Sequence, residues 1–111
     1  MGVKFTVKDD LTVCHLEGEV DINTSPDIKK NFDKVIAKKT PKIVISLSRV
    51  TYVDSSGLAT LVEILKNMKS YGGKLKLSAL SPKVKSLFEI TKLDKLFSIA
   101  QTDEEATANF L

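Results

Sequence analysis

The sequence predicts an α/β fold: one domain over residues 1–111, with a mixed, largely parallel central sheet of about five strands and about four helices. A short β-branched run at residues 43–47 is typical of a buried strand. Apolar residues at positions 58, 61, 62, 65 and 68 repeat with the spacing of an amphipathic helix. Strand-like and helix-like segments alternate in the order β-β-α-β-α-β-α-β-α, which favours a sheet with helices packed on it.

The first third of the chain predicts two strands and a helix. Residues 3–8 and 11–18 are strand-like, and Asp9-Asp10 between them is typical of a tight turn. The second strand is partly apolar on both faces, which indicates an interior position. Ser25 is a suitable N-cap and Pro26 a suitable first helical residue, so a helix is expected from there to about residue 39, ended by Thr40-Pro41.

The rest of the chain continues the alternation. A strand at 42–47 and an extended connection at 49–53 lead into the central helix, which Gly72-Gly73 ends. A half-exposed strand at 74–78 precedes a second helix start at Ser81-Pro82, and a short strand at 96–99 follows. Residues 102–105 form a capping box that opens a helix to about residue 110. Right-handed crossovers that wind the same way put their helices on the same face of the sheet. The helix positions predicted to face the core are Ile28, Phe32, Val35, Ile36, Leu58, Leu61, Val62, Leu65, Met68, Val84, Leu87, Phe88 and Thr91.

Composition excludes several classes of function. The net charge of +3 comes almost wholly from dispersed lysines, and Arg49 is the only arginine, so a nucleic-acid interface is not expected. The sequence contains no apolar run of the roughly 18 residues that span a bilayer, and its start has no signal-like region. The single cysteine, Cys14, excludes an internal disulfide and fits a reducing compartment. We therefore expect a cytoplasmic protein without a membrane partner.

The sequence carries no pattern of an enzyme or a metal site. It has no Gly-x-Ser-x-Gly elbow and no phosphate-binding Gly-x-x-x-x-Gly-Lys loop, and its only histidine, His15, lies in a predicted strand. Cys14 and His15 are adjacent in that strand and so point to opposite faces, which excludes a shared metal ion. We predict a protein that is not an enzyme, with no cofactor and no metal, in which Cys14 faces the core.

The segment 54–58, Asp-Ser-Ser-Gly-Leu, is the most informative part of the sequence. It lies where a strand should turn into a helix, and a phosphate on a serine there would meet the free N–H groups and positive dipole of the helix start. Simple N-capping also explains such serines, and two in a row permit both roles, with Ser56 as the cap and Ser55 free to react. Gly57 fits either an unobstructed partner approach or a tight helix start. Asp21 fits either a local turn or a partner contact, and Thr24 and Ser25 are first of all helix-start residues.

Several segments together resemble the STAS family, specifically the bacterial anti-sigma factor antagonists. Residues 54–58 match its switch segment, and Gly18-Glu19-Val20-Asp21 is similar to its Gly-Glu-apolar-Asp element. Residues 43–48 resemble its central strand, and residues 72–75 and 81–88 resemble its Gly-Gly and Ser-Pro-x-Val-x-x-Leu-Phe segments. The resemblance covers residues 3–110 in the family's order of elements.

The resemblance implies a partner switch. An anti-sigma factor that is also a serine kinase binds the unphosphorylated antagonist, releases its sigma factor and phosphorylates the serine after the aspartate, here Ser55; a serine phosphatase reverses the step. The free protein is expected to be a monomer. Asn23 differs from the histidine of one subgroup, which leaves partner specificity open. The alternative is a STAS subunit of a signalling scaffold or lipid-transport complex that does not act on a sigma factor. The implied partner-binding residues are Asp21, Asn23, Thr24, Ser25, Asp54, Ser56, Gly57 and Leu58.

Overall fold

A five-stranded sheet forms the centre of the structure, a computed structural model that describes residues 2–108 and residue 110. The spatial order of the strands follows their order in the chain. The first two strands are antiparallel and every later neighbour is parallel, which confirms the predicted mixed, largely parallel sheet. The strands are β1 (Gly2–Lys8), β2 (Leu11–Val20), β3 (Lys42–Val53), β4 (Lys74–Ser78) and β5 (Ser98–Ala100).

Helices cover both faces of this sheet. Because every crossover moves one strand further in the same direction, three consecutive helices pack on one face, as the right-handed crossover rule predicts. The last helix packs on the other face, where Ala106 and Phe110 contact Val44. In the described part of the chain the helices are α1 (Ser25–Ala37), α2 (Ser55–Lys69), α3 (Pro82–Ile90) and α4 (Asp103–Ala108), with one unpredicted 3-10 turn, Leu93–Lys95.

The core lies mainly between the sheet and the first three helices. On β3, Ile43 and Ile45 face that core while Val44 faces α4, so the central strand is apolar on both sides. Of the predicted helix positions, Val35, Ile36, Val62 and Leu87 are only partly buried, and Thr91, the C-cap of α3, is exposed. The fully or almost fully buried ones are Ile28, Phe32, Leu58, Leu61, Leu65, Met68, Val84 and Phe88.

Cys14 lies in the core, as predicted. Its side chain is fully buried on β2, and the burial raises the pKa of the thiol to about 12. His15, the next residue, is partly exposed on the opposite face of the strand. The thiol therefore behaves as a small apolar group, and the two side chains cannot share a ligand.

The main difference from the predicted elements is the length of β3. The segment at 49–53, expected as an extended connection, continues the strand because it pairs with β2 from Glu17 to Val20. The pairing shifts register twice, between His15 and Glu17 and between Gly18 and Glu19 of β2, and at each shift β3 has one extra residue. β4 pairs with β3 only as far as Ser46. The end of β3 thus extends beyond its neighbour on the β4 side.

Several element ends also differ by a few residues. α1 ends at Ala37 and α2 at Lys69, earlier than expected, with Gly72 in the following turn at φ 80°. The last strand begins at Ser98, because the N–H groups of Leu96 and Phe97 donate to the carbonyl of Leu93 in the 3-10 turn. One half of the capping box is confirmed: the Glu105 N–H donates to Thr102 Oγ1 over 3.1 Å, and the Glu105 carboxylate accepts from the Gln101 N–H over 3.3 Å. The helix it opens ends at Ala108, and Asn109, within its expected range, lies outside the described residues. None of the described helices has the length and apolarity to cross a membrane.

Candidate functional site

The candidate site lies at the edge of the sheet where β2 and β3 end and α1 and α2 begin. Val20 and Val53, the last residues of the two strands, are register partners. The backbone N–H of Asp54 donates to the carbonyl of Val20 over 3.1 Å, which holds the two chain exits together. We name residues 20–25 and 53–58 the carboxyl rim.

Asp54 joins the two halves of the carboxyl rim. Its Oδ1 accepts a hydrogen bond from the Gly57 N–H at 2.9 Å, so it is the N-cap of α2. Its Oδ2 accepts from the Ile22 N–H, 32 residues earlier in the chain, at 3.2 Å. The expectation that Ser56 caps this helix is wrong, because Asp54 is the last extended residue and both serines already lie within the helix. The carboxylate therefore caps α2 and fixes the neighbouring loop.

Ser55 is exposed at the first position of α2. No described residue is hydrogen-bonded to its hydroxyl, which leaves the oxygen accessible from solvent. Ser56 is half-buried, and its carbonyl accepts from Thr60 Oγ1 at 3.0 Å. The two serines thus differ in exposure, and only Ser55 presents its side chain openly beside the helix start.

Gly57 is required by packing within the chain. A Cβ atom at this position would lie 2.3 Å from the carbonyl oxygen of Val20 and 2.8 Å from its Cγ1. This contact favours the tight helix start over partner approach as the reason for the glycine, because residue 57 is buried against the end of β2. Leu58 is also buried, with 6% of its surface exposed. These two residues therefore form the buried part of the carboxyl rim.

The loop at 21–24 is held by its own side chains. Asp21 Oδ1 accepts from the N–H groups of Asn23 at 2.9 Å and Thr24 at 3.1 Å. Partial desolvation raises the pKa of Asp21, but these hydrogen bonds together outweigh it and hold the pKa below its usual value. Thr24 Oγ1 donates to the carbonyl of Glu19 at 2.9 Å. Asn23 and Ile22 are exposed at the tip of the loop.

The start of α1 corrects a second predicted cap. Thr24, and not Ser25, is the N-cap residue, and its side chain makes no capping hydrogen bond. Ser25 is buried, and its hydroxyl donates back to the carbonyl of Asp21 at 2.7 Å. Pro26 lies in the first turn as predicted. Ser25 therefore stabilises the loop at 21–24 and exposes little surface to a partner.

A groove beside Ser55 was missed by sequence reasoning. It has a volume of about 510 Å³ and lies between the end of β3 and one face of α3. The sequence does contain a signal for it, since Ile90 is a large apolar residue off the predicted core stripe of that helix. Ile90 is 79% exposed. We name this feature the β3–α3 groove; its lining includes Tyr52, Ser55, Lys83, Val84, Leu87 and Ile90.

The carboxyl rim presents the exposed side chains of Ser55 and Asn23 at one edge of the sheet. Nothing in the carboxyl rim activates Ser55: His15 is in β2 away from the rim, and both Asp54 oxygens accept backbone N–H groups. Across the described residues there is no group of three histidine, cysteine, aspartate or glutamate side chains able to hold a metal ion. A reaction at Ser55 would therefore need a catalytic base and a phosphoryl donor supplied by another protein.

Comparison with known proteins gives one consistent result. A family model for the STAS domain matches residues 3–106. The anti-sigma-B factor antagonist of Listeria monocytogenes is 33% identical over 98% of this chain and 98% of its own. That of Bacillus subtilis is 33% identical over 94% of this chain and 96% of its own. The crystal structure of an anti-sigma factor antagonist from Mycobacterium paratuberculosis superposes with a TM-score of 0.88 at 27% identity, covering 96% of this chain and 91% of that one.

Proposed function

This chain belongs to the STAS domain family, and on that basis we propose that it is an anti-sigma factor antagonist switched by phosphorylation of Ser55. The unphosphorylated form binds an anti-sigma factor that is also a serine kinase, and the sigma factor is released. Phosphorylated Ser55 ends the binding, and a serine phosphatase restores it. The observation that carries the proposal is the exposed, unbonded Ser55 hydroxyl at the start of α2.

For the phosphoryl transfer, this chain needs only to present an accessible Ser55 hydroxyl. Ser55 Oγ attacks the γ-phosphorus of ATP held by the kinase, the bond to the β-phosphate oxygen breaks, and ADP leaves. A base of the kinase takes the hydroxyl proton. The new phosphate stands beside the N-terminus of α2, whose dipole favours negative charge. The antagonist thus acts as substrate and ligand, without catalysing the step.

Electrostatics gives the switch sufficient strength. A phosphate adds about −1.5 to −2 charges at neutral pH. One pair of like unit charges about 4 Å apart, at an effective dielectric near 20, costs roughly 4 kcal/mol. That corresponds to about a thousandfold in affinity. A single partner carboxylate near Ser55 is therefore enough to convert tight binding into release.

The loop at 21–24 is the second part of the proposed docking surface. Asn23 is exposed at its tip, while Asp21 and Asp54 fix the backbone through hydrogen bonds. A loop held in this way loses little conformational entropy when a partner binds. Asn23 and Ser55 are exposed on the same rim, so a single partner surface can contact both.

Mass spectrometry tests the proposal. Each anti-sigma factor encoded by the source genome is purified and incubated with the full chain, ATP and Mg²⁺, and the intact mass is measured. We expect one added phosphate on the wild type, none on Ser55→Ala, and one on the matched control Ser56→Ala. A phosphate on Ser56, or no phosphate with any of these proteins, would contradict the proposal. The latter result, with stable association to scaffold or lipid-transport subunits, would favour the alternative STAS role.

A further inference from the structure

The β3–α3 groove is an open apolar surface continuous with Ser55. Its α3 wall is formed by Val84, Leu87 and Ile90, spaced along one face of the helix. Its other wall is the end of β3, with Tyr52 half-exposed at 45%. Ser55 lines the same space, so a partner docked on this serine also reaches the groove.

Exposed apolar side chains concentrate at this end of the molecule. Among the described residues, five large apolar side chains are exposed: Val7, Ile22, Tyr52, Ile90 and Leu96. Tyr52 and Ile90 line the groove, and Ile22 lies on the carboxyl rim. Apolar side chains grouped in this way, beside polar ones, are typical of a protein–protein interface.

The groove also offers main-chain hydrogen-bonding groups. β4 stops pairing with β3 at Ser46, while β2 continues to pair with it up to Val53. From residue 49 to 53, β3 therefore has a strand neighbour on the β2 side only. Residues 51–53 of this stretch line the groove, and main-chain N–H and C=O groups on an edge without a strand neighbour can bind a docked segment.

One cation lies on the groove wall. Lys83 lines the groove, whereas Lys85 and Glu89, on the same helix, line a different surface. No described carboxylate forms an ion pair with Lys83. An apolar surface with a single unpaired cation is complementary to an apolar segment that carries an acidic side chain.

We propose that the β3–α3 groove is the second half of the docking surface and binds an apolar segment of the anti-sigma factor, with a carboxylate of that segment opposite Lys83. The inference rests on the proposed function and names the surface that the partner uses. It also explains how the partner detects phosphorylation, because a phosphate on Ser55 enters the same groove as this carboxylate. The phosphate repels the carboxylate and competes with it for Lys83.

Paired surface substitutions test the groove. Calorimetric titrations use the purified anti-sigma factor with ADP, and every variant also carries Ser55→Ala so that no phosphorylation intervenes. We expect Ile90→Ser to weaken binding about tenfold, as for loss of an apolar interface anchor. The control Val7→Ser alters a similarly exposed residue, 72% against 79%, on another surface and should change affinity less than about twofold.

The charge pair gives a second readout. We expect Lys83→Gln to weaken binding about fivefold at low salt, with a smaller effect at high salt, because the pair is only partly desolvated. Lys85→Gln, on the same helix but outside the groove, is the control and should have no such salt-dependent effect. All four substituted side chains are exposed, so thermal unfolding should remain close to that of the parent.

The outcomes separate the groove from the proposed function. Equal affinities for Ile90→Ser and Val7→Ser, with tight binding by the Ser55→Ala parent, would overturn the groove proposal and leave the proposed function standing. If the parent binds none of the anti-sigma factors, the proposed function fails and the groove proposal with it. If the free chain forms a dimer that Ile90→Ser dissociates, the groove belongs to a second copy and the proposal is overturned.

Discussion

The starts of α2 and α3 are both capped by a side chain, but by different residue types. At α3, Ser81 is the N-cap, and its hydroxyl accepts from the Val84 N–H at 3.3 Å. At α2, the carboxylate of Asp54 does this work, and the serine that follows keeps its hydroxyl free. Both helices begin at the carboxyl end of a parallel strand, so their surroundings are similar.

The difference shows what makes a serine available for modification. A capping hydroxyl is engaged, and modifying it would cost the helix one of its stabilising hydrogen bonds. Moving the cap one residue earlier, to a carboxylate, leaves the first helical serine accessible near the positive end of the helix. Asp54 therefore separates the structural role from the proposed switch, which a serine cap would have to combine.

The largest expected effect is the loss of partner binding when charge is placed on Ser55. We expect phosphorylated Ser55 to bind the anti-sigma factor about a thousandfold more weakly, and Ser55→Asp at least about tenfold more weakly, because the added charge faces the partner. Ser81→Asp places the same charge at the start of α3, where aspartate still caps the helix, and should bind like the wild type. Calorimetric titration measures all three; equal weakening by Ser55→Asp and Ser81→Asp would break the comparison.

The next effect concerns the close contact that only α2 makes. We expect Gly57→Ala to lower the free energy of unfolding by about 3 kcal/mol, because its Cβ would lie 2.3 Å from the Val20 carbonyl oxygen. Gly2→Ala is the control, since its Cβ would meet Glu17 Cβ at an ordinary 3.6 Å. Urea denaturation gives both values. A stability for Gly57→Ala equal to that of the wild type would mean that α2 is not held this tightly against β2.

Removing each cap tests the comparison directly. We expect Asp54→Ala to cost about 2 kcal/mol of unfolding free energy, because both the cap and the bond to Ile22 are lost. Ser81→Ala should cost about 1 kcal/mol, for the cap alone. The stability of Asp54→Asn should lie between those of the wild type and Asp54→Ala, since one amide oxygen replaces two carboxylate oxygens. If chemical denaturation showed that Ser81→Ala lowers the free energy of unfolding more than Asp54→Ala does, Asp54 would not join the two halves of the carboxyl rim.

The order of elements could be predicted because each is marked locally. The alternation at residues 74–78 gives β4 with its correct bounds, and Ser81-Pro82 gives the start of α3. The same rule failed at α2, where Asp54, Ser55 and Ser56 are all suitable caps. The choice depends on where β3 ends, which its pairing with β2 decides.

Part of the site was predictable because it, too, is marked by a local sequence signal. The segment at 54–58 is contiguous, so sequence alone indicates a serine at a helix start. The β3–α3 groove is lined by residues about 30 positions apart in the chain. It exists because β3 continues beyond the last residue that pairs with β4. The extra residues of β3 lie at two register shifts in its pairing with β2, for which the sequence contains no clear pattern. Ile90 becomes informative only when its surroundings are known.

The smallest expected effect concerns the start of α1, which extends the comparison to a third helix. There a carboxylate again fixes the loop, since Asp21 accepts from Asn23 and Thr24, and its pKa is lowered in the folded state. A carboxyl whose pKa is lower when folded stabilises the protein above its unfolded pKa of about 3.9, and this stabilisation is lost as the pH falls through the folded value. We therefore expect Asp21→Asn to be less stable than the wild type at neutral pH, with the difference shrinking below about pH 4. Urea denaturation across this range measures it, with Asp33→Asn, an exposed aspartate of α1, as the control. A pH-independent difference between wild type and Asp21→Asn would show that the loop needs the side chain's shape and not its charge.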